Sequence, residues 1–328
     1  MNILVTGGAG FIGSHLIEKL LKLNHDVICL DNFNDFYDPK IKRNNIENSL
    51  QSNSSFILLE GDIRDKGFLE SIFSDNNFDI VVHLAAMAGV RPSIINPELY
   101  YDVNLTGTLY LLEKCKERGI KKFIFASSSS VYGNNKKIPF AESDFVDNPI
   151  SPYAASKKSG ELICHCYHHL YQMSIVCLRY FTVYGPRQRP DLAIHKFARL
   201  MLAGKPIPLY GEMSSRRDYT YIADIIDGTL KAIDYVTENN CFDIFNLGGS
   251  KAISLSEMIN CLENTLGIKA LIEHLPAQEG DVWQTYASIV KSQNILGYKP
   301  NTEFSEGIRL FIEWLKKQVE EKILDFIP

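Results

Sequence analysis

The chain has little that would carry it to a membrane, a nucleic acid or an oxidising compartment. No charge-free apolar run reaches the roughly 18 residues of a membrane-spanning helix, and the N-terminus shows neither the charged region nor the apolar stretch of a signal peptide. Basic charge is not in excess. Thirty-four Lys and Arg stand against 39 Asp and Glu, a net charge of −5, so no bulk attraction draws the chain to nucleic acid or to an anionic bilayer. An anionic small molecule remains open as a ligand, because that depends on local basic residues. The cysteines number seven, an odd count, with no Cys-x-x-Cys pair. Most sit in apolar runs such as Val27-Ile28-Cys29-Leu30, which fits free thiols in a reducing compartment and not a disulfide framework. Glycine (21) and proline (13) are at ordinary levels in a 45% hydrophobic, 22% charged chain, which excludes collagen-like, coiled-coil and disordered architectures. The expectation is a cytoplasmic, soluble protein whose 328 residues make about two domains with a large core.

What is there is an alternation. Short apolar, β-branched runs at 2–6, 26–30, 56–60, 80–84, 122–126 and 175–178 are nearly continuous, as strands covered on both faces should be. Amphipathic stretches at 14–23, 101–117 and 153–171 lie between them. This predicts α/β architecture, a Rossmann-type doubly wound parallel sheet. Beyond Arg179 the prolines 186, 190, 206 and 208 break the chain into short loops, and 241–247 reads as one more buried strand before Gly248-Gly249. A smaller, interleaved α/β domain is expected at 181–215 and 250–328, with 1–180 and about 216–249 forming the first domain. The polar stretch 32–55 reads as an insertion with a short helix after Pro39.

The first predicted strand runs into Gly7-Gly8-Ala9-Gly10-Phe11-Ile12-Gly13 and then a helix. Such a turn lets the backbone approach a pyrophosphate, which the first amides of the helix then bind. The second strand ends in Asp31, placed where a carboxylate accepts hydrogen bonds from a ribose 2′-hydroxyl and repels a 2′-phosphate. With no Arg directly after it, NAD is favoured over NADP. The plainer reading is a tight turn followed by a surface Asp.

Tyr153 and Lys157 are four residues apart and share a helix face. A free tyrosine, with a pKa of about 10, is a poor base at neutral pH. A nearby ammonium and a positive nicotinamide ring would favour its phenolate, which could then take a proton from a substrate hydroxyl while hydride leaves the same carbon. Ser128, in Ala126-Ser127-Ser128-Ser129-Ser130-Val131-Tyr132-Gly133, lies just beyond the fifth strand, on the carboxyl side where ligands bind in these sheets. Its hydroxyl could donate to the oxygen that becomes a ketone. Each feature alone occurs by chance; their conjunction in one sheet points to catalysis.

With these residues in view, the chain resembles an extended short-chain dehydrogenase/reductase of the nucleotide-sugar epimerase and dehydratase group. The likeness covers essentially the whole chain. It runs through the glycine turn, Gly61-Asp62-Ile63-Arg64-Asp65, His83-Leu84-Ala85-Ala86 and Asn104, then Tyr153-x-x-x-Lys157, Leu178-Arg179-Tyr180-Phe181 and Arg217-Asp218-Tyr219-x-Tyr221-Ile222-x-Asp224. The resemblance implies that Gly7, Gly10, Phe11, Ile12, Gly13, Asp31, Asn32, Leu84, Ala86 and Asn104 hold the cofactor. It places Asp62 and Ile63 at the adenine, and Ala85, Lys157 and Tyr180 at the nicotinamide half. Arg217 would meet the diphosphate of a nucleotide sugar, usually UDP, and Asp281 matches the position at the uridine ribose. Many relatives carry a phosphate-binding Arg where this chain has Gln278.

Members of the group begin by oxidising C4 of the sugar, so the residues after Ser128 decide the outcome. The dehydratases of the group carry an Asp-Glu pair there and the sugar-acid decarboxylases a Glu two residues on; this chain has Ser129 and Ser130. Without a carboxylate the 4-keto sugar can turn over and take hydride on its other face, which is epimerisation. UDP-glucose 4-epimerases usually continue the Arg-Tyr-Phe strand with Asn, whereas Thr182 and the string through Gly185-Pro186-Arg187-Gln188-Arg189-Pro190-Asp191 resemble the UDP-glucuronate 4-epimerases. In that family Ser129, Ser130 and Thr182 would hold the C6 carboxylate. The plainer reading of Thr182 is a β-branched residue ending a strand. Thr285 matches a position that gates the sugar pocket, and a small residue there keeps UDP-N-acetylglucosamine, or its uronic acid, as the alternative substrate. Arg187 and Arg189 serve either the diphosphate or carboxylate, or are solvated loop charges.

Other readings weigh less. Cys164, His165, His168 and His169 pair at i,i+4 in two different directions, whereas zinc needs four convergent ligands, so no metal is expected. A non-catalytic dinucleotide sensor of this fold often loses the Tyr, the Lys or the hydroxyl, and all three are present. The resemblance also implies a homodimer joined through the helices at 101–117 and 153–171.

Overall fold

The computed structural model describes residues 1–276, 280, 282–321 and 323–324. In chain order it begins with β1 (Asn2–Thr6), α1 (Phe11–Lys22), β2 (Asp26–Asp31), α2 (Pro39–Ser52), β3 (Phe56–Glu60), α3 (Lys66–Asp75), β4 (Ile80–His83), α4 (Val90–Ile95) and α5 (Pro97–Tyr101). A π-helical turn over Asp102–Gly107 leads into α6 (Thr108–Arg118), β5 (Lys122–Ser128), a 3-10 turn over Ser129–Tyr132, α7 (Pro152–Tyr171) and β6 (Ser174–Tyr180). Then come β7 (Thr182–Tyr184), α8 (Ala193–Leu202), β8 (Ile207–Tyr210), β9 (Arg216–Tyr221), α9 (Ile222–Glu238) and β10 (Phe242–Leu247). The chain continues with β11 (Ala252–Ser254), α10 (Leu255–Leu266), β12 (Ile272–Leu275), α11 (Val290–Leu296) and α12 (Phe304–Glu320).

Seven strands form one parallel sheet in the order β10-β6-β5-β4-β1-β2-β3. The apolar residues of each strand alternate between two cores. In β1, Ile3 and Val5 pack with α1 and α9, whereas Leu4 packs with α3, α6 and α7. Helices on both faces are what a continuous apolar strand requires, and the strand order reverses beside β1, where such sheets bind ligands. A third core gathers Tyr184, Phe197, Leu209, Met258, Leu262, Phe311 and Leu315, together with Ile41 of α2. It carries two small sheets, β11-β9-β7 and β12-β8.

Two segments differ from expectation. The helix at 101–117 is interrupted: α5 ends at Tyr101 and one π turn intervenes before α6. Asn104 sits in that turn, its amide bound to Met87 on both backbone groups, so the helix is widened where its side chain is pulled sideways. The helix after Pro39 is long rather than short. Pro39 opens it, Asp38 caps it by accepting from Lys40 N at 2.9 Å, and it continues to Ser52. Among the described residues no helix is long and apolar enough to cross a membrane.

Buried titratable groups make a first prediction. His83, 2% exposed, lies between the hydroxyls of Thr6 (2.7 Å) and Thr108 (2.9 Å). Burial, and secondarily Lys157, holds it down at about 3, and burial holds His195 at about 4. Both are neutral in the fold while the unfolded chain protonates near 6.5, so stability rises with pH across that window and is lost as pH falls through it. Asp218, pushed up to about 6 by burial, acts in the opposite sense as pH rises from 3.8. Two imidazoles with the wider gaps outweigh it. Thermal unfolding should therefore move to lower temperature between about pH 6.5 and about pH 5, with His83 alone costing about 2 kcal/mol at the lower value. Scanning calorimetry across that range checks this, and a midpoint that rises on acidification would contradict it.

Candidate active site

The glycine turn is built for close approach. Gly7 has φ +68°, and a Cβ there would lie 2.7 Å from Ala85 N; one on Gly13 would lie 2.4 Å from the Gly7 carbonyl. No side chain caps α1 at Gly10, which leaves its first amides for a ligand. The close backbone approach and the uncapped amides at this turn fit a dinucleotide pyrophosphate. Asp31 lies beside it, its two oxygens accepting from Ala9 N (3.0 Å) and Phe33 N (2.9 Å), with burial the main force raising its carboxyl. Asn32 donates to Asp62 at 2.9 Å, and Arg64 clamps Asp62 from the other side and pulls it down to about 2.

A single cavity of about 500 Å³ runs from this turn to Thr285. Its walls include Gly7, Gly10, Phe11, Ile12, Gly13, Asp31, Asn32, Asp62, Ile63, Leu84, Ala85 and Ala86 at one end. Ser128, Ser129, Ser130, Tyr153, Lys157, Tyr180, Thr182, Arg189, Arg217 and Thr285 line the other. Nearly every described residue singled out from the sequence thus meets in one space, and two do not. Asp281 lies outside the described residues. Asn104 is behind the wall: its amide holds Met87 and donates to Ser156 Oγ at 2.9 Å, tying the 84–88 strip to α7. Arg187 turns away on a left-handed backbone (φ +64°) and pairs with Glu18 of α1.

The candidate catalytic side chains are bonded to three consecutive residues of β5, or belong to them. Lys157 Nζ donates to Ala126 O at 2.7 Å, Ser127 Oγ donates to Glu161 at 2.6 Å, and Ser128 bonds Tyr153. Ser128 Oγ also accepts from Ser130 N (3.2 Å) and Ser130 Oγ (3.0 Å), so its one hydrogen is left to donate to Tyr153, where it favours the phenolate. Burial raises Tyr153 above its ordinary value; the Ser128 hydrogen bond and then the Arg189 charge oppose it. This departs from expectation, since Lys157 was to supply that support. Its ammonium is tethered to Ala126 O instead, and burial lowers it to about 8.

Arg189 grips Asp191 through two bonds of 2.9 and 2.7 Å while its guanidinium lies 5.2 Å from the Phe36 ring. Arg217 donates to Arg216 O at 2.9 Å and Trp283 O at 3.3 Å. The Thr285 hydroxyl accepts from Asp218 N at 3.0 Å, so it pins its segment to β9. Sequence reasoning missed Phe36, Tyr37 and Lys42, which also line the cavity. Consecutive Asx turns at Asn32 and Asn34 fold that segment back, and the alternating Asn residues were the available signal.

Comparison with known proteins agrees with this arrangement. Residues 3–248 match the model of the NAD dependent epimerase/dehydratase family. UDP-glucuronate 4-epimerase of Thermodesulfobacterium geofontis is 43% identical over 318 residues, 97% of each chain. UDP-glucuronate 4-epimerase 1 of Arabidopsis thaliana is 42% identical, over 96% of this chain and 76% of that one. The crystal structure of UDP-glucuronic acid 4-epimerase from Bacillus cereus, in complex with UDP-glucuronic acid and NAD, superposes with a TM-score of 0.91. It shares 40% identity over 97% of this chain and 99% of the other. With the glycine cradle and the Ser-Tyr-Lys set in one cavity, the chain belongs to the NAD-dependent epimerase/dehydratase family.

Proposed function

We propose that the protein is an NAD-dependent UDP-sugar 4-epimerase that interconverts UDP-glucuronate and UDP-galacturonate. The observation that carries this reading is the chemistry around Tyr153. Ser129, Ser130 and Thr182 line the cavity with hydroxyls where a dehydratase or decarboxylase would need a carboxylate. Relatives at 40–43% identity named for the same reaction support it.

Tyr153 accepts the proton of the C4 hydroxyl and returns it when the sugar presents its other face, while Ser128 donates a hydrogen bond to that oxygen in both directions. NAD, when bound, takes the C4 hydride and gives it back. The 4-keto sugar acid formed between these steps is a β-keto acid, which loses carbon dioxide when its carboxylate turns perpendicular to the carbonyl. Hydroxyl donors at Ser129, Ser130 and Thr182 hold that carboxylate in the safe orientation without adding a base. Arg217, and Arg189 once released from Asp191, supply positive charge to the diphosphate or the carboxylate. Residues 1–180 with 216–249 serve as the NAD-binding part, and 181–215 with 250–328, which furnish most of the third core, as the nucleotide-sugar part. Leu109, Leu162 and Leu170 stand exposed on α6 and α7 and offer an apolar face for a second copy of the chain.

The test is a side-by-side assay with UDP-glucuronate, UDP-glucose and UDP-N-acetylglucosamine, separating products by chromatography. Preference for UDP-glucuronate, with UDP-galacturonate formed and no pentose released, is expected. Preference for the acetamido sugar would assign specificity to the small residue at Thr285. Pentose formed at the epimerisation rate would remove the role of the three hydroxyls.

A further inference from the structure

Behind the catalytic serines lies a buried polar network that the proposed chemistry does not use. Glu161, two helical turns beyond Tyr153 on α7, receives Arg179 of β6 through two bonds of 2.8 Å and Ser127 Oγ at 2.6 Å. Arg179 Nη1 donates to the Tyr132 hydroxyl at 3.0 Å, and Tyr132 donates in turn to Asn246 Oδ1 at 2.7 Å. Asn246 Nδ2 then donates to Phe140 O (2.9 Å) and Ser288 O (3.1 Å). Ser127, Arg179 and Asn246 sit in one row across β5, β6 and β10, and every side chain in the series is at most 3% exposed.

The far end of this series belongs to the sugar pocket. Segment 285–288 is fastened to β9 by Ala287 N donating to Asp218 at 2.9 Å and by Thr285 accepting from Asp218 N. The near end belongs to the chemistry, since Ser127 precedes Ser128 and Glu161 shares a helix with Tyr153 and Lys157. A buried ion pair is a poor device for stability alone, because apolar residues of similar size stabilise as well. Its use here is geometric. An epimerase must keep its nucleotide fixed and its Tyr-Ser pair fixed while the sugar ring turns between them.

We propose that Tyr132 is a positioning residue of the epimerisation: its hydroxyl, bridging Arg179 and Asn246, holds segment 285–288 at a set distance from Ser128 and Tyr153. The inference rests on the epimerase reading above. Tyr132→Phe is the sharp variant, because it keeps the ring contacts with Phe140 (4.8 Å) and Phe181 (6.2 Å) and leaves Arg179 paired with Glu161. Full-length wild type and variant, both loaded with NAD, are assayed with UDP-glucuronate. The variant should show about tenfold lower kcat, the size of one lost hydrogen bond to a charged group. NAD content should be unchanged, with a larger share of turnovers ending in bound reduced nicotinamide and released carbon dioxide. A lower Tm with kcat, KM and product partition all as in wild type would mean a structural role only and would overturn the proposal. Asn246→Ala cuts the next link and should show the same pattern, which keeps the test decisive should Tyr132→Phe fail to fold. Wild type that converts no UDP-sugar removes the epimerase reading and this proposal together; active wild type with an indistinguishable variant removes this proposal alone.

Discussion

Replacing Tyr153 with Phe should lower turnover of UDP-glucuronate by about 10³-fold, within the range that a positioned general base supplies, while NAD binding is retained. The change deletes one oxygen. The ring keeps its edge-on packing against Tyr100, with centroids 6.2 Å apart, so the helix start carrying Lys157 has no reason to move. The glycine turn and Asp31 lie at the other end of the cavity, so cofactor affinity should stay within a factor of about two. What is lost is the acceptor for the C4 hydroxyl proton, and water reaching the site is a much weaker base. The pH dependence sharpens the test. Burial raises Tyr153, so the wild-type rate should climb as the pH is raised from neutrality. The Phe variant should lack the climbing limb. Single-turnover measurement of product, with NAD content determined on the same preparation, reads both quantities. Residual activity above about a tenth of wild type would contradict the role of base.

That Tyr153 and Lys157 meet in one cavity could be read in the sequence because their spacing is a property of one helix, and the glycine turn because its place after a strand is a property of one βα junction. The seven sheet strands were legible for a similar reason: covered on both faces, each is a near-continuous apolar run. Short strands such as β7 and β11, of three residues each, carry no period long enough to register. Site electrostatics depend on distances between elements, which no spacing encodes. Lys157 reaches Ala126 O because α7 lies directly on β5, and this diverts the ammonium that the spacing alone assigned to Tyr153. Arg187 and Arg189 are two residues apart in a polar loop, and only the left-handed turn at Arg187 sends one to Glu18 while the other lines the cavity. Asn104 followed a family motif toward the cofactor, yet its amide is spent on Met87 and Ser156, one layer behind.

Glu161→Ala should be the most damaging single change to stability, at about 3–5 kcal/mol, the usual result of stripping one partner from a buried ion pair. Arg179 and Glu161 are each 1% exposed, so the guanidinium left behind would keep only the Tyr132 hydroxyl, and Ser127 would lose its acceptor. On the apparent midpoint of thermal unfolding this amounts to a fall on the order of 10 °C. The control is Glu306→Ala. Its partner Arg309 and Glu306 itself stand 48% exposed, where ion pairs are screened by water and salt, so no measurable change is expected. Combining Glu161→Leu with Arg179→Met removes both charges at once and should recover most of the lost stability, since no unpaired ion remains. Epimerisation should not recover with it, because Ser127 and Tyr132 would still lack their partners. Denaturant titration and kcat measured on the three proteins separate these effects. A double variant that regains full turnover would show that the pair serves only to fill space, whereas regained stability without turnover assigns it to holding the strand that carries Ser128.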